Sequence, residues 1–385
     1  MRMKLLTRIV LVTLLFVVSV GAGCSTTNNI SKTNEIQQVK DTSPIKVGFI
    51  GPLSGDVANI GQNMRAAVEV ARDEINKNGG IQGRMIETIF EDGQCGAKEA
   101  ANAANKLVNV DKVIAFMTTC SDETLAAAPI AQENKTIILS PASTNPKVTD
   151  AGDYVFRIIP SDLFQGKFVA DYVYNTLNKK NIAILYNADK DWSTGVKEVF
   201  KKQFLSLGGI IVAEESTATT DRDLKTQIAK IKQSNPELIY FPSFVESGLV
   251  GIKQIREAGI TTPIFGGDVW DDATMPQKLG TVADGVKFTR IANEKSPQSF
   301  VDAMRSITGT DEINSYAPRS YDALQMLGFV IDKVGTDTEK IKQELYKIQN
   351  YKGIADTYSF DTNGDMSSAN YEIKEFMNDA IVDAR

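Results

Sequence analysis

Short apolar runs alternate with helical stretches from Lys46 to Ile348, and that alternation is the tightest constraint on the fold. Lys46–Gly51, Val113–Met117, Thr136–Leu139, Asn181–Tyr186 and Leu238–Phe241 lack the polar alternation of a strand with one wet face. They read as strands buried on both sides. Between them lie stretches such as Ile60, Met64, Ala67, Val68, Ala71 and Ile75, whose apolar residues share one helical face and which Asn78-Gly79-Gly80 stops. Strand–helix alternation implies an α/β fold with parallel sheets covered on both faces. About ten strands exceed one comfortable sheet, so two similar α/β domains are expected.

The stretch Val113–Pro146 is the most informative. Each of its strands stops at small hydroxyl residues, Thr118-Thr119-Cys120-Ser121 and Ser140-Pro141-Ala142-Ser143-Thr144. Ser121 stands where a helix N-cap belongs, followed by Asp122 and Glu123 in the first turn. Ligands of open α/β sheets bind at the carboxyl ends of the strands, and a helix N-terminus there favours a carboxylate. This stretch reads as half of a small-molecule site.

Further along, Ser161 caps a helix with Phe164, Phe168 and Tyr172 along one side. The carboxyl-terminal part differs, with short strands at Asp356–Phe360 and Tyr371–Lys374 around Asp361-Thr362-Asn363-Gly364-Asp365. That turn lacks the length and terminal Glu of a calcium loop and reads as a hairpin turn.

A net charge of −6 over 385 residues, with no basic run beyond the first residues, argues against nucleic acid as a partner. The amino terminus is a targeting segment. Arg2, Lys4 and Arg8 precede the apolar run Ile9–Val20, which is too short for a comfortable membrane span. Gly21-Ala22-Gly23 before Cys24 resembles a bacterial lipoprotein signal, with Cys24 as the lipidated residue and ordinary signal cleavage as the alternative. Residues 1–23 are read as the signal peptide and 24–43 as a polar tether. Removing Cys24 leaves Cys95 and Cys120, an even pair in an exported chain. Both follow strand ends, so they could meet in a disulfide; two free buried thiols are the alternative.

Catalytic chemistry finds little support. The chain has no histidine, which removes histidine triads and histidine-ligated metals, and no G-x-S-x-G elbow. The glycine turn Pro52–Gly55 is followed by neither Gly-Lys-Ser/Thr nor G-x-G-x-x-G, so a nucleotide site is not indicated. No cofactor and no metal are expected.

The segments KVGFIGPLSGDVANIGQ, INKNGGIQGR, ILSPASTNPKVT and YSFDTNGDMSSANYEI, with the cysteine pair, resemble the leucine/isoleucine/valine-binding type of periplasmic solute-binding protein. The resemblance runs from Ile45 to Phe376. It implies two Rossmann-like lobes with parallel-sheet cores joined by a three-strand hinge, the periplasmic binding protein type I fold. Lobe 1 would be 44–159 with 292–363, and lobe 2 would be 160–291 with 364–385. It also implies a Cys95–Cys120 disulfide.

The resemblance carries ligand contacts onto particular positions. Ser121 matches a serine that binds the ligand carboxylate, and Ala142-Ser143-Thr144 a loop that binds both ends of an amino acid. Asp268 stands where a Glu pairs with the ligand ammonium, and Trp192 where a tyrosine stacks across the cleft. Ile60 and Phe244 fall at two aromatic pocket positions, and Thr119 where an apolar residue is usual.

The implied function is non-enzymatic. An extracytoplasmic, lipid-anchored monomer would capture an amino acid, branched-chain or similar, and deliver it to the permease subunits of an ABC importer. A ligand-sensing receptor domain, or a receptor for an amide or aromatic acid, is the alternative.

Overall fold

The protein is represented by a computed structural model that describes residues 41–384. The signal segment, Cys24 and nearly all of the 24–43 tether lie outside the described residues.

Two large sheets carry the fold. The first contains β1 (Ile45–Gly51), β2 (Ile86–Asp92), β3 (Ala115–Thr118), β4 (Ile137–Ser140) and β5 (Val155–Arg157). Its order is β2-β1-β3-β4-β5, and every pairing is parallel. β3, β4 and β5 are buried at every residue, which is why they carry no polar alternation.

The second sheet begins with β6 (Asn181–Asn187), β7 (Ile210–Thr217), β8 (Leu238–Phe241), β9 (Ile264–Gly266) and β10 (Lys287–Ile291), all in parallel. The chain then returns to the first sheet's side, where helix Ala317–Val334 packs along helix Ala58–Lys77. A small antiparallel pair follows, β11 (Tyr351–Lys352) with β12 (Thr357–Tyr358). Finally β13 (Tyr371–Met377) and β14 (Ala380–Asp383) add to the second sheet beside β10.

Both pairings of β13 are antiparallel, so the second sheet is mixed and not wholly parallel as the alternation suggested. For β13 with β14 the reason is local. Asn378 and Asp379 sit at φ 51° and 62°, the left-handed pair of a type I′ hairpin, and fold the tail back on itself.

In helix Asp162–Asp171 Ser161 does cap, accepting from Leu163 N. Phe168 and Tyr172 stack on one side and pack against Tyr371 and Phe265, while Phe164 is exposed. The fully buried face carries Asp162, Gln165, Gly166 and Val169, and Gly166 sets its closest approach. A Cβ there would meet Val199 and Phe200 at 2.7–2.8 Å, so helix Asp191–Ser206 approaches along the glycine instead of the aromatic row.

The chain passes between the two sheets after β5, after β10 and before β13. Arg319, fully buried, touches all three passages. It donates to Ile158 O at 3.3 Å and Ala292 O at 3.1 Å, contacts Met366 Sδ at 3.9 Å, and pairs with Asp356 at 3.1 Å. The turn Asp361–Asp365 is a hairpin turn, closed by the Phe360–Met366 bridge.

Candidate functional site

A cavity lies where the carboxyl ends of the strands in the two sheets face one another. Thr119, Ser121, Ala142 and Thr144 approach it from beyond β3 and β4. Trp192, Phe244 and Asp268 approach from beyond β6, β8 and β9, and Pro52, Val57, Ile60 and Met64 add an apolar wall. The cavity has a volume of about 50 Å³. One water needs about 10–15 Å³ of such volume, so the space suits a ligand of several heavy atoms.

Ser121 is not the N-cap but the first residue of helix Ser121–Asn134; Cys120 occupies the cap position. The cap is supplied by Glu123, whose Oε2 accepts from Cys120 N at 2.9 Å, Thr119 N at 3.1 Å and Thr119 Oγ1 at 3.0 Å. Its Oε1 takes Cys95 N at 3.2 Å. Burial pushes this carboxyl up to about 7 while the four donors oppose the rise. Glu123 therefore stitches together the backbones of Cys95 and Cys120, which form a disulfide with Cα atoms 5.3 Å apart. It also engages the Thr119 hydroxyl, so the polarity expected of Thr119 is turned inward.

The loop after β4 is held on every side. Ser121 Oγ accepts from Asn145 N at 3.1 Å, and Ser140 Oγ accepts from Ser143 N at 3.0 Å. Ser143 does not line the cavity. Its hydroxyl lies 2.5 Å from that of Thr124, which completes a buried hydroxyl chain to Thr118.

At the other end stands an unbalanced cluster of acid groups. Asp268 is buried and neither of its oxygens has a hydrogen-bond partner. Burial pushes its carboxyl up to about 6, and Gln165 and Tyr316 oppose the rise without closing a bond of normal geometry. Asp162, fully buried, is raised well above the carboxylate range by burial and then by the charge of Asp268. Thr144 Oγ1 donates to Asp162 Oδ2 at 3.0 Å, while Oδ1 is unpartnered. Tyr316 lines the cavity beside them, its phenol pushed well up by burial and then by Asp268.

Trp192 makes an edge-on contact with Phe244, ring centroids 5.9 Å apart, and its buried indole N–H has no partner. Gly267 permits this placement, since a Cβ there would meet the indole at 2.8 Å. One side of the cavity thus offers a helix N-terminus and another the Asp268 carboxyl, with Asp162 buried behind Thr144 and apolar side chains between. That arrangement suits a small molecule carrying a negative and a positive charge.

The sequence profile of the family described as periplasmic binding protein matches residues 44–373. The chain belongs to that family. Among its relatives is the leucine-, isoleucine-, valine-, threonine- and alanine-binding protein of Pseudomonas aeruginosa, 27% identical over 342 residues, covering 87% of this chain and 91% of that one. The leucine-binding protein LivK of Thermotoga maritima is similar in structure, with TM-score 0.82, 28% identity, and 89% of this chain and 98% of that one covered. The branched-chain amino acid substrate-binding protein LivJ of Streptococcus pneumoniae, solved with isoleucine, gives TM-score 0.79 at 27% identity, covering 89% and 100%. The fold is the type I form of the periplasmic binding protein.

In this periplasmic binding protein the sequence-named positions Ile60, Thr119, Ser121, Ala142, Thr144, Trp192, Phe244 and Asp268 line one cavity. Tyr316, which also lines it, is not named by the sequence reading, nor are Asp162 and Gln165, which lie beside Asp268 outside the lining. Asp162 follows a serine cap and reads as an ordinary first-turn acid; only its burial beside Asp268 separates it from one.

Proposed function

We propose that the protein captures a small amino acid, branched-chain or similar, outside the cytoplasm and delivers it to an ABC importer without catalysing a reaction. The observation that carries this reading is the buried, unpartnered Asp268 beside Asp162, placed across the cavity from Ser121. An ammonium would satisfy the Asp268 carboxyl, and the helix N-terminus with the Trp192 N–H would take the carboxylate. Val57, Ile60 and Met64 favour an aliphatic side chain. The names of the relatives point to the same ligand class.

On this reading Cys24 carries a lipid anchor at the cell envelope, and the protein works as a monomer docking on permease subunits. Residues 44–159 with 292–363 form one lobe and 160–291 with 364–385 the other. Their sheets and the three passages support that division. The lobes close on ligand, using contacts such as Asn59–Asp272 at 3.1 Å and Lys147–Asp191 at 2.7 Å.

The test is thermal melting of the mature chain against the twenty amino acids, short amides and small aromatic acids. A rise with L-leucine, L-isoleucine or L-valine that grows with concentration is expected. A rise only with amides or aromatic acids replaces the ligand class. No rise with any amino acid at millimolar concentration overturns the reading.

A further inference from the structure

Arg157 ends β5 with a fully buried side chain, and its guanidinium is divided between two segments far apart in sequence. One edge faces Asp365, with Nε to Oδ1 at 2.7 Å and Nη2 to Oδ2 at 2.5 Å. Nη1 donates to the carbonyls of Asn145 at 2.9 Å and Thr144 at 3.1 Å, with Ser143 O at 3.5 Å. Thr149 closes the arrangement, accepting from Nη2 and donating to Asp365 Oδ2, each at 2.7 Å. The backbone joins too, Arg157 N donating to Gly364 O at 3.0 Å.

The two segments are not arbitrary. Residues 143–145 include Thr144, which faces both the cavity and Asp162, and the Thr144 carbonyl also accepts from Asp162 N at 2.7 Å. Asp365 belongs to the passage on which the chain crosses to β13. A planar cation with donors on two edges can serve a carboxylate and a row of carbonyls at once; a lysine ammonium lacks that fork. The Arg157 charge also opposes the rise in the Asp162 carboxyl.

We propose that Arg157, anchored by Asp365, is the positioning residue of the ligand loop: it holds Ser143–Asn145 so that the Thr144 hydroxyl, bonded to Asp162 behind it, meets the ligand ammonium, and ties that loop to the crossing segment. Arg157 touches no ligand and acts through Thr144. The inference rests on the amino-acid-binding reading above.

The test is calorimetric titration of L-leucine into wild type, Arg157→Lys, Asp365→Asn, Thr144→Val and the Arg157→Lys/Thr144→Val double variant. Arg157→Lys should weaken binding at least tenfold and Asp365→Asn three- to tenfold. The double variant should bind no more weakly than the weaker of its two single variants, because both changes remove the same interaction. A packing role alone would leave the two effects multiplicative. Multiplicative losses, or wild-type affinity in both Arg157→Lys and Asp365→Asn, overturn the inference. Should Arg157→Lys fail to fold, Asp365→Asn and its double variant with Thr144→Val carry the same comparison. A wild-type protein that binds no amino acid is a different failure, and overturns the functional reading on which the inference stands.

Discussion

The Thr144 hydroxyl donates to Asp162 Oδ2 at 3.0 Å, which leaves Asp162 Oδ1 buried and unpartnered in the field of Asp268. A buried carboxyl whose charge raises its neighbour is a cost to the free protein, and a bound cation removes it. Asp268→Asn should therefore weaken L-leucine by tenfold or more, since hydrogen bonds to charged groups contribute about 1.5–3 kcal/mol. The same variant should melt higher than wild type without ligand. Paired calorimetry and melting check both; an unchanged affinity removes Asp268 from the site.

The effects of pH on stability and on binding should have opposite signs. Asp268 and Asp56 lie at about 6 and Glu123 at about 7, all above their ordinary values through burial. Between those values and about pH 4 the native state holds protons that the unfolded chain has released. These groups' contribution to stability is fully present below their unfolded pKa values and is lost as pH rises through about 6–7. Ligand affinity runs the other way, because an ammonium requires the ionised Asp268, and falls below about pH 6 by up to about tenfold per pH unit. Binding near pH 6 should release protons, read as a dependence of the calorimetric enthalpy on buffer ionisation. Asp268→Asn should reduce that release.

Trp192 should report the ligand. The chain has two tryptophans, and Trp270 is fully buried with its N–H donated to Ser243 O at 3.0 Å. Trp192 alone lines the cavity. Trp192→Phe should abolish the ligand-dependent change in tryptophan fluorescence and weaken binding by several-fold through the lost donor. A full signal in the variant would place the reporter at Trp270.

The Cys95–Cys120 bridge closes a segment of 25 residues beside the cavity. On the chain-entropy account, Cys95→Ala/Cys120→Ala should cost about 3.5 kcal/mol of stability. Ligand affinity should fall as well, since Glu123 holds both cysteine backbones next to Thr119 and Ser121. Denaturant unfolding and titration measure the two; equal stability of the variant would contradict the expectation.

Much of this molecule is legible without coordinates. The apolar runs that became β3, β4 and β8 are buried on both faces, so their pattern is local and unmixed. Ser121, Thr144, Trp192 and Asp268 follow strand ends, and the carboxyl edge of a parallel sheet is where such residues converge. The aromatics Phe164, Phe168 and Tyr172 do share one side of their helix, and Phe168 and Tyr172 pack there; what the sequence does not tell is that Gly166 on the other face takes the closer helix contact.

The order of strands and helices, the α/β class and the family are properties of the sequence alone, because periodicity and motif spacing are written in neighbouring residues. The role of a polar side chain is not. Asp162 and Glu123 are both first-turn acids, yet one takes the Thr144 hydroxyl beside Asp268 and the other stitches a disulfide. Ser143 and Thr144 are adjacent hydroxyls, yet only Thr144 reaches the cavity. Those outcomes depend on what lies within 3 Å of each oxygen (roughly one hydrogen bond), and the partners come from segments that only the packed sheets bring together.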